Sequence, residues 1–384
     1  MSRQKKLSFA DILIFILSSF LILRAIFLSP VFSDETIYIN MARALSKGLL
    51  PYKDFFYAHP PFQLILLLPA VLTNNFLFVK FYISLIGIFC IFLTYLIAKE
   101  IFDEKTAFIS SLAFLIFPGF LIFGNLAMGT FESLLFFLLS FLFLLKERVF
   151  LSSFFFTISL FTRYLTILLL PFLIIFFLKD RKKTMNFLSF LSLLFFFFFS
   201  LLYFFFGFKF IRYTILYHLQ VNIKFAVQTP NFFWQYFSLG FFSIFILLIS
   251  LVYAYFKKDY KLFLFSVYPL FYDFTVITIL RQLTYHYFAF ILPFVFISFG
   301  RVFSESKFFQ VKFFLSLFLF LSLFSNFHSL TFYFDKSKNI IFEELVEYTF
   351  NLTKENDLIF GSAIPTNYIS FVTNRKIVNN YFDS

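Results

Sequence analysis

The chain has 384 residues, 61% of them hydrophobic and 14% charged, and its mean hydropathy is +0.90. A soluble globular protein carries about a quarter of its residues as charges, so a water-soluble domain of this size is excluded. The formal charge of +12 does not point to nucleic acid. Lys and Arg fall in short loops between apolar runs, the distribution that orients membrane spans. Cys90 lies inside an apolar stretch, so neither a disulfide framework nor a Cys-based metal site is expected.

The N-terminus, Met1-Ser-Arg-Gln-Lys-Lys, precedes an apolar run with no small-residue cleavage site before Phe32. It reads as an uncleaved first span near 9–29. Further spans are predicted near 78–98, 105–123, 130–145, 149–162, 164–178, 185–206, 232–256, 262–280, 286–300 and 312–330. Two assignments set the parity. The run Pro61 to Val71 is too short for a hydrocarbon core that needs about 20 helical residues, and is assigned to the outer interface as a juxtamembrane helix. Arg163 divides 149–178 into a tight pair. With the N-terminus cytoplasmic, the basic clusters at 146–148 and 179–183 then fall inside, as the positive-inside rule requires. The C-terminus is extracytoplasmic in this multi-pass topology. The expected fold is an all-α polytopic membrane protein with about eleven transmembrane helices.

Three segments remain outside: a first loop from Pro30 to about Val79, a middle loop from Gly207 to Asn231, and a tail from Thr331 to Ser384. In the first loop Ser33 is suited to cap a helix that carries Asp34 and Glu35 in its first turn and ends at Gly48. Ile37, Met41, Ala44 and Leu45 recur at helical spacing, so one face of that helix is expected on the membrane surface. Acidic residues favour a helix N-terminus whether or not they act chemically. The functional reading comes from their company: Tyr52, Lys53, Asp54 and His59, all in the same loop. The tail combines a helix bearing Glu343, Glu344 and Glu347 with a short strand, Leu358-Ile-Phe, ended by Gly361. It reads as a small extracytoplasmic α/β segment (331–384) after a membrane domain (1–330).

The order Asp34-Glu35, Tyr38, Ala42, Gly48, Pro51-Tyr52, Asp54 and His59-Pro60-Pro61, ahead of an apolar juxtamembrane run, resembles the first outer loop of the GT-C membrane glycosyltransferases. The likeness is to their protein O-mannosyltransferase and aminoarabinose transferase branch. Further matches are Gly129-Thr-Phe-Glu132, Leu160-Phe-Thr-Arg163-Tyr before Pro171, and Arg281 to Pro293 with Tyr285, His286 and Tyr287. The tail from Glu343 to Arg375 is also similar to the region after the last span in these proteins; it stops at Phe382-Asp-Ser, and a longer family domain is expected to be curtailed there.

The resemblance implies a GT-C-like fold and an inverting transferase that takes sugar from a polyprenyl-phosphate donor to a glycan, lipid or protein acceptor, with membrane lipid as its surroundings. It also implies a first-loop carboxylate as general base, Asp34 before Glu35. A carboxylate within hydrogen-bond reach suits a nucleophile that must lose a proton as it attacks. The leaving lipid phosphate keeps negative charge, so cationic and hydrogen-bonding groups should meet it. Lys53, His59, Arg163, Arg281, Tyr285 and His286 are the candidates, with Glu132 as a further site residue. Arg163 also fits a span-end arginine that snorkels to headgroups, and the aromatics that flank Arg281 and His286 fit an ordinary interfacial belt. No cofactor is assigned; some relatives bind a divalent ion, but no metal-ligand spacing is present. The competing reading is a polyprenyl-linked sugar flippase or transporter, which would place ionisable residues at mid-membrane; Asp273 is the clearest such residue.

Overall fold

The computed structural model describes residues 9–26, 34–219, 230–276, 285–325, 327, 337–354 and 357–378. Ser33 and the ends of the expected spans 9–29, 262–280 and 312–330 lie outside the described residues. In chain order the helices are α1 (Phe9–Ile26), α2 (Glu35–Ser46), α3 (Phe62–Val71), α4 (Phe76–Ile101), α5 (Glu104–Ile116), α6 (Pro118–Phe123), α7 (Thr130–Leu145) and α8 (Val149–Thr162). They continue with α9 (Leu170–Phe177), α10 (Arg181–Phe206), α11 (Phe208–Ile211), α12 (Pro230–Lys257), α13 (Tyr260–Phe274), α14 (Leu292–Glu305) and α15 (Phe309–Ser325). A C-terminal unit follows: α16 (Ser337–Leu352), β1 (Leu358–Ile359), α17 (Ala363–Thr373) and β2 (Lys376–Ile377). The two strands pair in parallel, Leu358 opposite Lys376 and Ile359 opposite Ile377.

Polar residues punctuate the apolar runs. The side chains of Asn75, Asp103, Asp180 and Asp259 each accept a bond from a first-turn backbone N–H, of Phe78, Thr106, Lys183 and Leu262 respectively, which caps α4, α5, α10 and α13. Three apolar helices, Phe76–Ile101, Arg181–Phe206 and Tyr287–Glu305, are each long enough to cross a membrane alone. Others are shorter because the backbone breaks within the run. Two such breaks share one design: a 3-10 turn, Tyr164–Leu169 or Tyr285–Ile291, feeds a helix whose second residue is Pro171 or Pro293. Proline is tolerated there because a first-turn N–H has no intrahelical acceptor.

The segment after Arg163 returns alongside α8, as the tight pair requires. Ser133 at the start of α7 meets both Ser159 and Thr166 (3.0 and 2.5 Å), whereas Phe141, two turns further along, meets Phe172 and Phe177. The interior between these helices is built of interlocked phenylalanines: Phe141, Phe172, Phe265 and Phe294 pack mostly edge to face, the Phe172–Phe294 rings at 4.7 Å and 86°, the arrangement that aromatic quadrupoles favour. Others, such as Phe196 and Phe204 on α10, point outward.

Among the departures from expectation, two concern the outer segments. Ile37, Met41 and Ala44 of α2 face the protein, not the membrane surface: they are buried against Leu64, Leu67, Ala70 and Val71 of α3, in a cluster that also holds Phe371 and Ile377 of the C-terminal unit. An apolar stripe specifies burial without naming what covers it. The middle loop expected from Gly207 begins as helix, with α11 running into a π turn at Arg212–Leu216.

Ion pairs gather at one end of the bundle. Arg301 bridges Asp103 and Asp259 (both 3.3 Å) and Glu305 (3.0 Å), tying α5, α13 and α14, and Lys183 pairs with Glu147 at 2.5 Å. Just before Arg301, Gly300 lets α14 touch α5: a Cβ there would lie 2.6 Å from the Thr106 carbonyl oxygen and 2.9 Å from the Ser110 nitrogen. Backbone cannot yield as a side chain does. Gly300→Ala is therefore expected to lower stability by about 1–3 kcal/mol, read as a drop in the thermal unfolding midpoint of the detergent-solubilised protein.

Candidate functional site

At the other end of the bundle, the first loop, the 125–130 connection and the two 3-10 turns converge. Glu35 and Lys80 are both fully buried there and form an ion pair. The Lys80 ammonium donates to both carboxylate oxygens of Glu35, at 2.9 and 2.8 Å, and to the Asn125 carbonyl at 2.8 Å. Its three donors are thereby used. The pair joins α2 to α4 and to the connection before α7.

That connection is held by side chains from four elements. Lys80 takes Asn125, Gln63 of α3 donates to the Ala127 carbonyl at 2.9 Å, Glu35 accepts from the Ala127 N–H at 3.4 Å, and the Arg163 guanidinium donates to the Met128 carbonyl. Gly129 follows with φ +76°, and a Cβ there would press on Arg163 and on the Gln63 amide oxygen at 2.6 Å. A glycine supplies both the left-handed backbone and the room. The turn delivers Glu132 into the first turn of α7, where its carboxylate is buried and takes no hydrogen bond from another side chain.

Arg163 reaches this place because α8 ends on it in extended conformation, φ −147° and ψ 118°. Its guanidinium carbon lies 5.2 Å from the centre of the Tyr38 ring, a cation–π contact, and its charge acts on Glu132. The Tyr38 hydroxyl is 3.2 Å from Nε2 of His59. Burial raises the Tyr38 pKa; Arg163 opposes the rise, while Asp34 and Tyr287 add to it. Tyr57, also raised chiefly by burial, donates to Gln63 at 3.1 Å. Both phenols are thus held as neutral donors near neutral pH.

His59 is fixed from two sides. Tyr52, at φ 66°, donates its hydroxyl to the His59 carbonyl at 2.5 Å, and the His59 ring stacks on His218 with centroids 5.0 Å apart and 24° between planes. His218 Nε2 lies 2.7 Å from the Ala58 carbonyl, so it carries the proton and donates.

The expected site residues are therefore distributed as follows. Asp34 is exposed at the N-terminus of α2, one residue from the buried Glu35 and close enough to Tyr38 to act on it. His59, Arg163 and Glu132 gather around the same centre. Lys53 is exposed and lies over Phe206, 5.8 Å from the ring centre, outside these contacts. Tyr285 and His286 begin the 3-10 turn whose Tyr287 acts on Arg163 and Tyr38, and Arg281 lies outside the described residues. Among the described residues no three His, Cys, Asp or Glu side chains are grouped to hold a metal ion. Lys80, Gln63, Tyr38, Tyr57 and His218 were not among the candidates. Only Lys80 left a signal, a charge beside a long apolar run, which needs a buried partner.

The bundle and its elaborated first loop have a GT-C-like fold. The structure is similar to ArnT from Cupriavidus metallidurans, solved with undecaprenyl phosphate bound, with a TM-score of 0.74 at 11% identity, covering 95% of this chain and 84% of that one. It is also similar to the oligosaccharyltransferase of Archaeoglobus fulgidus in its apo form (TM-score 0.53, 13% identity), with 96% of this chain covering 65% of the other. The same archaeal enzyme, AglB, solved with an inhibitory peptide and a dolichol-phosphate, gives a TM-score of 0.52 at 11% identity, over 95% of this chain and 64% of that one. No protein-family model and no curated protein matches the sequence.

Two outcomes follow from the geometry. Removing one partner of a fully buried ion pair strands the other charge, which costs roughly 3–5 kcal/mol, so Lys80→Met should lower the unfolding midpoint sharply. The double variant Glu35→Leu/Lys80→Met should recover much of that loss. Burial, aided by Arg163 and opposed by the Ala58 bond, lowers the His218 pKa. The unfolded chain then binds more protons than the folded one as the pH falls through the ordinary histidine range. Stability is present above about pH 6.5 and is lost on acidification towards the depressed folded value. The acid-side fall in unfolding midpoint should be smaller in His218→Gln.

Proposed function

We propose that this protein is a polyprenyl-phosphate-dependent glycosyltransferase that works at the extracytoplasmic face of the membrane and inverts the anomeric configuration. One observation carries the reading: an exposed carboxylate, Asp34, and a buried cation, Arg163, both act on Tyr38, whose ring centre lies 5.2 Å from the guanidinium carbon. The undecaprenyl phosphate bound to ArnT and the dolichol-phosphate bound to AglB support the choice of donor class. In this topology the N-terminus is cytoplasmic, residues 1–330 form the membrane domain and 331–384 an extracytoplasmic segment.

In the proposed reaction an acceptor hydroxyl or amine attacks the anomeric carbon of the donor. The new glycosidic bond forms as the bond from that carbon to the phosphate oxygen breaks. The electron pair leaves with the lipid phosphate, and the acceptor's proton passes to Asp34, which can release it to water. Glu35 serves the site by position, since its charge is committed to Lys80. The departing phosphate needs cations and donors placed before the reaction; Arg163, Tyr38 and His59 supply them, with Lys53, Arg281, Tyr285 and His286 as further contacts. Glu132 has unused acceptor capacity for a hydroxyl of the sugar or acceptor.

Reconstitution in liposomes with a panel of labelled polyprenyl-phosphate sugars tests this. Release of label from one donor by the wild type is expected, and Asp34→Asn should slow it by about 10²-fold or more with donor binding retained. Protein-dependent movement of intact donor between leaflets, without sugar release, would instead establish a flippase.

A further inference from the structure

The C-terminal unit does not hang free beside the bundle. Its helix α17 lies along α2, and a ladder of polar contacts runs the length of the pair. The α2 members, Thr36, Asn40, Arg43 and Lys47, recur at the spacing of one helix stripe. Thr36 donates to the Ile364 carbonyl at 3.2 Å, and Lys47 donates to Asn374 at 2.7 Å. Between them Asn40 donates to Asn367 at 3.0 Å and to the Ser370 hydroxyl at 3.2 Å. Arg43 donates to the Phe371 carbonyl at 2.7 Å and to the same Ser370 hydroxyl at 2.9 Å, with its guanidinium 5.1 Å from the Phe371 ring centre. Ser370 in turn donates to the Arg375 carbonyl at 2.7 Å. Asn40, Arg43, Asn367 and Ser370 are all buried.

Such an interface differs from an apolar one in what it tolerates. Apolar surfaces remain partly satisfied when one helix slides or rotates on another. Buried polar groups do not, because a shift of one turn leaves Arg43, Asn40 and Ser370 desolvated and unbonded. The ladder therefore fixes both the rotation and the axial position of α2. It does so from a stripe adjacent to the one that packs on α3, while the Glu35–Lys80 pair fixes the helix at its first turn. Asp34 stands at the end of this doubly held helix, two residues before the first rung.

We propose that the C-terminal segment is a positioning element of the transferase site: through Ser370 and Arg43 it sets the orientation in which α2 presents Asp34 to the acceptor. This rests on the transferase reading above, and its test has one readout that does not depend on turnover. Ser370→Ala is the primary variant, since it removes one shared hydroxyl with little change in volume. Ser370→Thr keeps the hydroxyl, and Glu347→Ala, on the exposed face of α16, is the control.

Amide hydrogen exchange of the full chain in nanodiscs, followed by mass spectrometry, reads the order of residues 35–46. Turnover and donor binding are measured on the same samples with whichever labelled polyprenyl-phosphate sugar the wild type uses. Ser370→Ala should speed exchange in α2 at least tenfold while exchange in α4 and α7 stays unchanged. It should also lower kcat at least tenfold, with donor affinity within about twofold, and Ser370→Thr should restore both. Unchanged exchange in α2 would show that the ladder does not hold the helix and would overturn the proposal. Faster exchange with unchanged kcat would overturn it as well, since α2 would then be held for stability alone. If Ser370→Ala fails to fold, Arg43→Lys, which keeps one of the two guanidinium bonds, carries the same comparison. Absence of transfer by the wild type with every donor would sink the transferase reading itself and the positioning role with it; the exchange data distinguish that outcome from a slack ladder.

Discussion

Everything at the chemical end of this molecule is referred to the buried ion pair between Glu35 and Lys80. Two charges withdrawn from water and bonded to each other and to the backbone of the 125–127 connection leave little freedom to the chain that carries them. The first turn of α2, the first turns of α4 and the connection at Asn125 to Ala127 are thereby locked into a single piece. Tyr38, one turn along α2, and Asp34, one residue before Glu35, inherit their positions from it. Successive residues on a helix point about 100° apart. That angle lets two adjacent carboxylates have opposite fates, Glu35 turned into the protein and Asp34 out to solvent.

Around this fixed piece the bundle gathers side chains from breaks in its own helices. Arg163 belongs to the site because α8 stops there, and Tyr287 because the 285–291 segment is a 3-10 turn before Pro293 starts a helix. Continuous helices would have carried both residues onward into the apolar interior. The phenylalanine core makes the breaks affordable. Interlocked rings such as Phe172 and Phe294 bury large areas close to the two proline-led helices, so bonds lost at the 3-10 turns are offset by packing. The network around Arg301 holds the opposite end of the bundle together, far from these elements.

Most of the bundle was legible in the sequence because its boundaries are marked by residues that hydrocarbon rejects. The bounds of α7 and α8 are those expected, since 146–148 and Arg163 are the charged stops of apolar runs. The break at Arg163 and the pairing of 149–162 with 164–177 follow from the same mark. The site was less legible. Lys80 pairs with a residue 45 positions earlier and His218 reaches Ala58 across 160. No periodicity encodes contacts of that separation. A cation at the start of an apolar run, such as Lys80, marks a position but not the partner that satisfies it. The stripe of α2 was read correctly as apolar, but its cover is α3 rather than lipid, and the polar stripe beside it waited for a partner some 330 residues away. Arg281 lies outside the described residues, and Lys53 is exposed and lies over Phe206.

The separation of Asp34 from Arg163 has a chemical sense in the proposed reaction. Inversion needs the nucleophile and the leaving group on opposite sides of the anomeric carbon, and the two sides make opposite demands on their surroundings. The acceptor arrives from water and its proton must return there, so its base has to be solvent-accessible and ionised. The leaving phosphate develops charge that is best met by donors already desolvated and oriented, because a dipole in low dielectric is worth more and needs no reorganisation. An exposed aspartate on the rim and a buried arginine flanked by neutral tyrosines meet these two demands separately. Tyr38, one helix turn after Asp34, touches the second and senses the first. A site that made both groups equally buried would raise the pKa of its base, and one that made both equally exposed would waste the cation on solvent. In the proposed reaction the rigidity of α2 would be part of the chemistry, since the division between wet base and dry cation would hold only while that helix keeps its rotation.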